Sequence, residues 1–531
     1  MNLRRTLQGL FLVFFFLLFF TASSSVSRLI PPDLFLRADP LAAAVVFLIA
    51  GSAAAVFLPA LVLVISALLM GRAFCGYVCP LGTLLDLGAR LARSPRSEPP
   101  WLLRHPGLPF WILSLVLLCG LLGFTLLAWL DPLVLLSRTT ALLFQPWLLE
   151  GGKAFLELLR PLASKKEWFW LSDAQLQVPR FWLSALSLVW MGGIVTLSLW
   201  RSRLWCRAFC PLGSLLGLLG RRPLLARSVG ESCLDCGACQ EACPMGAVER
   251  DPRQTARGRC LVCGRCGEVC PVKAISFLRR GKAFTPAATA SSWVLSRRGL
   301  LSAGALGLVT GLTVRVDAGR AAPRDRLIRP PGALPEPLFL DRCLRCGLCM
   351  SVCMSHTIQP SLWEAGLEGI WSPRLDLRLA PCEKHCNRCG QVCPTGAIRP
   401  LSLEERTHAK IGTAILLKER CLVWEQDKTC LVCDEICPYD AIEFREVEGK
   451  RRPFVTESRC NGCGYCEHKC PVQGESAIVV ARMGEIRLER GSFVEEARAR
   501  GFVFEGSREE VQSPSPFQPQ EGELPPGFLR P

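Results

Sequence analysis

Histidine is scarce in this chain. Its 531 residues hold five, His105, His356, His385, His408 and His468, and none lies within a long apolar run. That speaks against a membrane cytochrome with bis-histidine haem, and the lack of Cys-x2-Cys-His speaks against covalent haem attachment. No flavin-binding or molybdopterin-binding signature is evident, so a catalytic terminal reductase has no visible cofactor site. Nor is there an RNP, zinc-finger or helix-turn-helix pattern to give the net charge of +16 a nucleic-acid partner. Arg4, Arg5, Arg72, Arg201 and Arg203 instead sit beside apolar runs, where they fit membrane flanks.

What the chain does have is apolar length and cysteine. Half of its residues are hydrophobic, and four stretches, near 8 to 24, 41 to 70, 108 to 130 and 181 to 200, reach the roughly 20 helical residues that cross a bilayer core about 30 Å thick. The first lacks a cleavage site followed by a soluble sequence, so it reads as a retained anchor. The second contains Gly51 and Pro59, which imply tilt or a kink. Arg4 and Arg5, then Arg90, Arg93, Arg96 and Arg104, place the N-terminus and the loop after the second span inside. The 131–180 loop is less cooperative, since it should lie outside yet carries Arg138, Arg160, Lys165 and Lys166.

Two span exits repeat one another. RAFCGYVCPLGTLLDL from Arg72 matches RLWCRAFCPLGSLLGL from Arg203, and each contains Cys-x3-Cys-Pro-Leu-Gly. Two intervening spans return both copies to the cytoplasmic side. If the segments are helical, a spacing of four sets each pair on one helix face, and Cys75, Cys79, Cys206 and Cys210 could supply four thiolates to one additional redox or metal site. The alternative is a repeat that shapes a helix end and leaves the thiols inert. Cys119, alone in the third span, reads as packing.

The remaining cysteines follow ferredoxin spacing. CLDCGACQEACP from Cys233 and CLVCGRCGEVCP from Cys260 are both Cys-x2-Cys-x2-Cys-x3-Cys-Pro, and in two-cluster ferredoxins the fourth cysteine of each run crosses to the other cluster. One cluster would then use Cys233, Cys236, Cys239 and Cys270, the other Cys260, Cys263, Cys266 and Cys243. Four more quartets follow: Cys343, Cys346, Cys349, Cys353; Cys382, Cys386, Cys389, Cys393; Cys421, Cys430, Cys433, Cys437; and Cys460, Cys463, Cys466, Cys470. Gaps of three and eight residues open the second and third, and Met354 replaces the usual proline after the first. Zinc would use separated Cys-x2-Cys pairs, and closely spaced triplets do not suit a disulfide framework. Six 4Fe-4S clusters are expected, carried on small α+β units whose strands begin in segments such as GAVER, KAISFL, GAIRPL and DAIEFREV.

Between the two cluster regions lies SRRGLLSAGALGLVTGLTV from Ser296, a twin-arginine followed by an apolar run of 16 residues. It reads as a fifth crossing that carries a cluster-loaded domain outward. The expected fold is a membrane α-helical bundle of four spans and a fifth, joined to α+β bacterial-ferredoxin-like domains. The divisions are 1–222 (four-span membrane domain), 223–285 (two-cluster cytoplasmic domain), 286–337 (twin-arginine segment, fifth span and linker), 338–511 (four-cluster domain) and 512–531 (disordered tail).

Four spans with two CxxxCP motifs and two ferredoxin motifs resemble the NapH-type membrane ferredoxins, which share this core with NosR-type proteins. The twin-arginine segment with four variably spaced quartets resembles the NapG-type periplasmic ferredoxins, so the chain looks like a NapH–NapG fusion. The resemblance implies a quinol dehydrogenase subunit of the bacterial inner membrane, with two clusters cytoplasmic and four periplasmic. It would draw on the quinone pool and feed a periplasmic reductase, such as nitrate reductase, or that reductase's electron-carrier subunit. It also implies that the first late quartet pairs with the fourth and the second with the third. Cys343, Cys346 and Cys349 would then join Cys470; Cys460, Cys463 and Cys466 would join Cys353; Cys382, Cys386 and Cys389 would join Cys437; and Cys421, Cys430 and Cys433 would join Cys393. Pairing between neighbouring quartets stays open on the residues alone. Quinol oxidation needs a proton acceptor near the membrane surface, for which Asp86, Asp131 and Glu150 are candidates. A copper-binding metal reductase or maturation factor using the CxxxCP thiols, and a regulatory polyferredoxin, are the alternatives.

Overall fold

The computed structural model describes residues 2–23, 30–50, 57–92, 107–169, 173, 176–279, 302, 304–305, 307, 309 and 326–504. The chain forms two compact units. The larger comprises Met1–Leu375, Asn387–Leu401 and Arg487–Glu489, and the smaller Asp376–Cys386, Ser402–Ile486 and Arg490–Pro531.

Helices dominate the first part of the larger unit, and their starts follow a rule visible in the chain. Asp131 precedes Pro132 and its Oδ1 accepts from the backbone N–H groups of Leu133 (2.9 Å) and Val134 (3.0 Å). Asp39 does the same for Leu41 (2.8 Å) and Ala42 (3.3 Å) ahead of the helix Pro40–Ala50. An acceptor side chain followed by proline satisfies orphan N–H groups and presets the first helical φ. Cys79-Pro80 and Cys210-Pro211 use a thiol in the same role, taking the N–H of Gly82 at 3.4 Å and of Gly213 at 3.3 Å. These two cysteines therefore cap the helices Pro80–Leu91 and Pro211–Leu219 with extended backbone. Cys75 and Cys206 lie in the preceding short helices, Ala73–Tyr77 and Leu204–Ala208. The expectation of one continuous helix face for each pair is corrected by that turn, since proline cannot continue the preceding helix.

One helix segment, Leu3–Phe20, is long and apolar enough to cross a membrane; Pro40–Ile49, Leu58–Met70, Leu108–Leu121 and Ser184–Trp200 are shorter apolar helices. The expected second span is described as the two helices Pro40–Ala50 and Leu58–Met70, with 51–56 outside the described residues. The twin-arginine pair and most of the fifth-span segment also lie outside them. Of that segment, Gly307 is described and buried, and a Cβ placed there would come within 2.9 Å of Leu118 in the helix Leu108–Leu121. Cys119 is fully buried and clusters with Phe124, as a packing residue should.

The rest of the larger unit is built onto these helices. Leu225–Val229 pairs antiparallel with Ile275–Arg279 and brackets the first two cysteine runs. Ile358–Pro360 pairs with Pro373–Leu375 beyond the third. Met245, Ala247 and Leu261 from the first of these lobes, and Leu344, Leu348 and Val352 from the second, belong to the same apolar core as Phe15, Leu18, Val45 and Leu133. In the smaller unit, Thr413–Leu416 pairs with Ile478–Ala481 and Ile442–Val447 with Lys450–Val455. The segments KAISFL and DAIEFREV are thus strands, while GAVER and GAIRPL contribute only the bridges Val248 to Thr255 and Ala333 to Ile398.

Candidate functional site

Ferredoxin spacing works by local geometry: a short loop, one helical turn, then an extended exit. In the lobe between Leu225 and Arg279, Cys233, Cys236, Cys239 and Cys270 line one pocket, and Cys243, Cys260, Cys263 and Cys266 line another. The crossing of the fourth cysteine is therefore as the spacing requires. Arg227 lines both pockets and donates to Cys239 Sγ at 3.4 Å, so one cation serves two thiolate sets.

The later quartets pair differently from the implied scheme. Cys437, Cys460, Cys463 and Cys466 line one pocket of the smaller unit, and Cys421, Cys430, Cys433 and Cys470 line another. In the larger unit, Cys343, Cys346 and Cys349 interact electrostatically with Cys393. The third and fourth quartets exchange their fourth cysteines, and Cys393 of the second joins the triplet of the first, so the joining of Cys343, Cys346 and Cys349 to Cys470, and the rest of that scheme, is corrected. The physical reason is the one that governs the first lobe: the third and fourth runs close a single two-cluster lobe within the smaller unit, where each triplet finds its fourth cysteine at short range. Of the 24 ferredoxin-type cysteines this leaves Cys353, Cys382, Cys386 and Cys389. The eight-residue gap after Cys421 is filled by the helical turn Leu422–Glu425, whose Trp424 packs edge-on against Phe454 at 5.5 Å.

The donor sets fit iron–sulfur cofactors. Burial, with neighbouring thiols adding to it, pushes the thiols of Cys260 and Cys433 up to about 12. Such thiols do not ionise together in a protein interior unless a cationic centre is present, which is what cluster iron supplies. Backbone N–H groups already point at several sulfurs: Ala247 to Cys243 (3.3 Å), Val262 to Cys260, Ile398 to Cys393, Ala414 to Cys460 and Ala441 to Cys437 (each 3.4 Å). Cationic side chains join them, with Arg406 donating to Cys382 Sγ at 3.1 Å and Lys410 to the Cys460 carbonyl. Hydrogen bonds and positive charge of this kind set cluster potentials.

The CxxxCP repeat converges. Cys79 interacts electrostatically with Cys75 and Cys206, and Cys210 with Cys206 and Cys75. The two repeat arginines cross over: Arg203 donates to the carbonyls of Cys75 (2.8 Å) and Gly82 (3.1 Å) in the first copy, and Arg72 to that of Cys206 (3.3 Å) in the second. The first ferredoxin lobe docks here, where Tyr77 Oη donates to the Val262 carbonyl at 2.8 Å and a Cβ on Gly76 would sit 2.9 Å from the Leu261 carbonyl.

The three carboxylates singled out as proton acceptors separate clearly. Asp86 is buried and bonded to Arg203 (2.8 and 3.0 Å), Arg4 (2.5 Å) and Gln8 (3.0 Å). Burial alone would raise its carboxyl, but Arg203 and Arg4 outweigh it and hold Asp86 well below the usual carboxylate range. It is a structural anion, so its expected acceptor role is corrected. Glu150 is exposed on the helix Gln145–Lys165. Asp131 is fully buried and meets the equally buried Asp39 side chain to side chain, and the Oδ2 atom of each has no other partner. Burial raises both carboxyls, so the pair retains at least one proton: the two cannot both be ionised side by side away from water. Asp39 was missed in the sequence, although Asp-Pro-Leu occurs at both 39–41 and 131–133.

The Cys343/Cys346/Cys349/Cys393 set is held against the 125–145 stretch that contains Asp131. Arg345, between Cys343 and Cys346, donates to the Thr125 carbonyl at 3.3 Å; a Cβ on Gly347 would lie 3.0 Å from Ala141; and Gln145 donates to the Ser351 carbonyl at 3.2 Å. Arg138 lies 3.7 Å over the ring of fully buried Trp371, which in turn packs edge-on against Trp129 at 4.5 Å.

Repeated two-cluster cysteine pockets on a helical base define a polyferredoxin, an iron–sulfur electron-transfer protein. Comparison with known proteins agrees. A 4Fe-4S binding domain model matches residues 52–109 and 183–230, and a 4Fe-4S dicluster domain model matches 232–274 and 428–473. The chain is 36% identical over 184 residues to the methylamine utilization ferredoxin-type protein MauM of Methylophilus methylotrophus, covering 33% of this chain and 79% of the relative. It is 34% identical over 176 residues to the ferredoxin-type protein NapG of Escherichia coli (31% and 74%), and 30% identical over 151 residues to NapF of the same organism (28% and 84%). The chain belongs to this family of ferredoxin-type proteins. No solved structure matches it.

Proposed function

We propose that the protein is a membrane-bound conduit that takes electrons from the quinol pool and passes them through six ferredoxin-type 4Fe-4S clusters to a periplasmic redox enzyme, without a terminal reductase site of its own. One observation carries this reading: cysteine quartets sit at opposite ends of the same helix. At the start of Asn2–Phe20, Arg4 bonds Asp86 and the Gly76 carbonyl, beside the Cys243/Cys260/Cys263/Cys266 pocket. At its end, Phe16 and Phe20 pack on Phe144, beside the segment that meets Gly347 and the Cys343/Cys346/Cys349/Cys393 set. Sixteen residues of α-helix separate Arg4 from Phe20, a rise of about 24 Å, close to a bilayer's hydrocarbon thickness.

Apolar side chains on the helix exteriors support the membrane setting. Leu10, Val13, Leu17, Leu61, Val62, Ile65, Val189 and Trp200 are all exposed, more apolar surface than a water-facing bundle would carry. The contact of Gly307 with Leu118 supports a fifth helix beside them. Cytoplasmic placement of the first lobe and periplasmic placement of the later quartets follow from this reading. The relatives' names point to more than one pathway, so nitrate reductase is one such acceptor rather than a requirement.

The clusters, when bound, take up and release single electrons. Quinol also gives up two protons, and the Asp39–Asp131 pair is the group suited to receive one: it is buried and kept from full ionisation, and Asp131 heads the helix Pro132–Thr139 that leads to Ala141, against which Gly347 packs, whereas Asp86 is committed to its arginines. Substituting Asp131→Asn keeps the helix cap and removes the acceptor. With short-chain quinol as reductant, cluster bleaching in purified, cluster-replete protein is expected to slow about 100-fold in this variant, the usual scale of a lost general base. Dithionite should bleach both proteins fully. No quinol-dependent bleaching of the wild type would sink the proposal.

A further inference from the structure

The four CxxxCP thiols belong to no ferredoxin quartet, yet their surroundings are those of a quartet. Neither repeat copy has more than two cysteines within the stretches matched by the 4Fe-4S binding domain description, 52–109 and 183–230, so neither alone can complete a cluster's ligand set. The fold joins them: Cys79 and Cys210 each interact with Cys75 and Cys206, which interact with one another, and three of the four are buried. Two sulfurs accept backbone N–H groups at 3.4 and 3.3 Å, the same contact made at Cys243, Cys260, Cys393 and Cys460.

Charge points the same way. Arg203 and Arg72 both face the thiols, Arg203 toward Cys79 and Cys206, Arg72 toward Cys206 and Cys210. Arg203 is paired with Asp86, which it shares with Arg4, and Arg72, 5% exposed, keeps an Nε with no hydrogen-bond partner. Its guanidinium lies over Gly213 so closely that a Cβ there would fall 2.1 Å from Nη2, and the same Cβ would be 3.4 Å from Cys210 Sγ. A buried cation with an unused donor beside four thiols calls for an anionic group. Among the described residues, no three His, Cys, Asp or Glu side chains close to the spacing of a single metal ion, at the ferredoxin quartets or here.

We infer that Cys75, Cys79, Cys206 and Cys210 hold a further iron–sulfur cluster of the 4Fe-4S class, shared between the two copies of the repeat. It adjoins the first ferredoxin lobe: Gly76, next to Cys75, touches Leu261, next to Cys260. The cluster extends the first lobe's chain of redox centres into the end of the helix bundle, and its existence does not depend on quinol being the donor.

The test is iron and acid-labile sulfide per chain in the full-length, detergent-purified protein, with Mössbauer spectra of iron-57-enriched samples. Cys206→Ser/Cys210→Ser is expected to lose four iron and four sulfide relative to wild type while the remaining clusters keep their spectra. Equal iron in the two proteins overturns the inference, as does loss of one zinc or copper ion in place of iron. Should the double variant not fold, alkylation of the wild type decides. Cys75, Cys79, Cys206 and Cys210 should resist iodoacetamide until iron is chelated, and immediate labelling of all four in the iron-replete protein overturns the assignment.

Discussion

Two aspartates show how environment assigns a residue its task. Asp86 and Asp131 both lie at the ends of apolar segments, yet Asp86 has Arg4, Arg203 and Gln8 around it while Asp131 has Asp39. Opposite charge fixes the first as an anion, and burial beside another carboxyl keeps the second from ionising together with Asp39. Glu336 is a third case. It is buried, takes a two-point contact from Arg329 (2.6 and 3.2 Å) and a third from Arg487 (2.8 Å). Burial pushes its carboxyl up, but the two arginines prevail and bring it from the ordinary 4.5 down to about 2. A group with a depressed native pKa contributes stability that is complete above its unfolded value and lost as pH falls through the native one. Glu336→Gln should cost about 3 kcal/mol near neutrality, the scale of a broken buried ion pair. That difference, read from chemical unfolding by tryptophan fluorescence, should shrink as pH drops below 4.5 toward 2. A pH-independent difference would refute the assignment.

The repeated CxxxCP element is informative where its copies differ. Asp86 of the first copy corresponds to Gly217 of the second, and Gly76 of the first to Arg207 of the second. Asp86 ties the two copies together, whereas Gly217 leaves room for the ferredoxin lobe: a Cβ there would lie 2.4 Å from the Gly258 carbonyl. Making the copies alike with Gly217→Asp should displace Gly258. Overpacking of that kind costs about 2 kcal/mol, roughly a 30-fold shift toward an undocked lobe. Limited proteolysis after Arg250 or Arg253 should accelerate accordingly; unchanged cleavage would show that the contact does not hold the lobe. The repeat itself was plain in the sequence. Its crossed arginines were not, because Arg72 and Arg203 reach partners more than a hundred residues away.

At the scale of the whole molecule, the sidedness of the two cluster regions becomes a prediction about the ends of one helix bundle. Reporter fusions after Ile275 and after Ile442 should give opposite results, cytoplasmic for the first and periplasmic for the second. Matching cytoplasmic signals would remove the fifth crossing. The sequence foresaw the helical base and the ferredoxin lobes, and overestimated how much of the base is continuous. The expected span from 108 to 130 is the two helices Leu108–Leu121 and Leu127–Leu130, and only Leu3–Phe20 has membrane length among the described residues. Hydropathy reports the composition of a run, while helix breaks depend on local φ and on what packs alongside.

The sequence by itself determined which cysteines form each local triplet of the ferredoxin-type motifs, because Cys-x2-Cys-x2-Cys is short-range chemistry in which three thiols are set by a few intervening residues. It also determined the cap positions, since acceptor-proline pairs act on the next two or three N–H groups. Only the tertiary structure decided which distant cysteine completes each set, placing Cys393 with Cys343, Cys346 and Cys349, and Cys437 with Cys460, Cys463 and Cys466. It alone joined Asp39 to Asp131 and brought the two CxxxCP pairs to one site. Those meetings are between residues from 23 to 135 positions apart, where spacing along the chain carries no distance information and packing alone sets who is near whom.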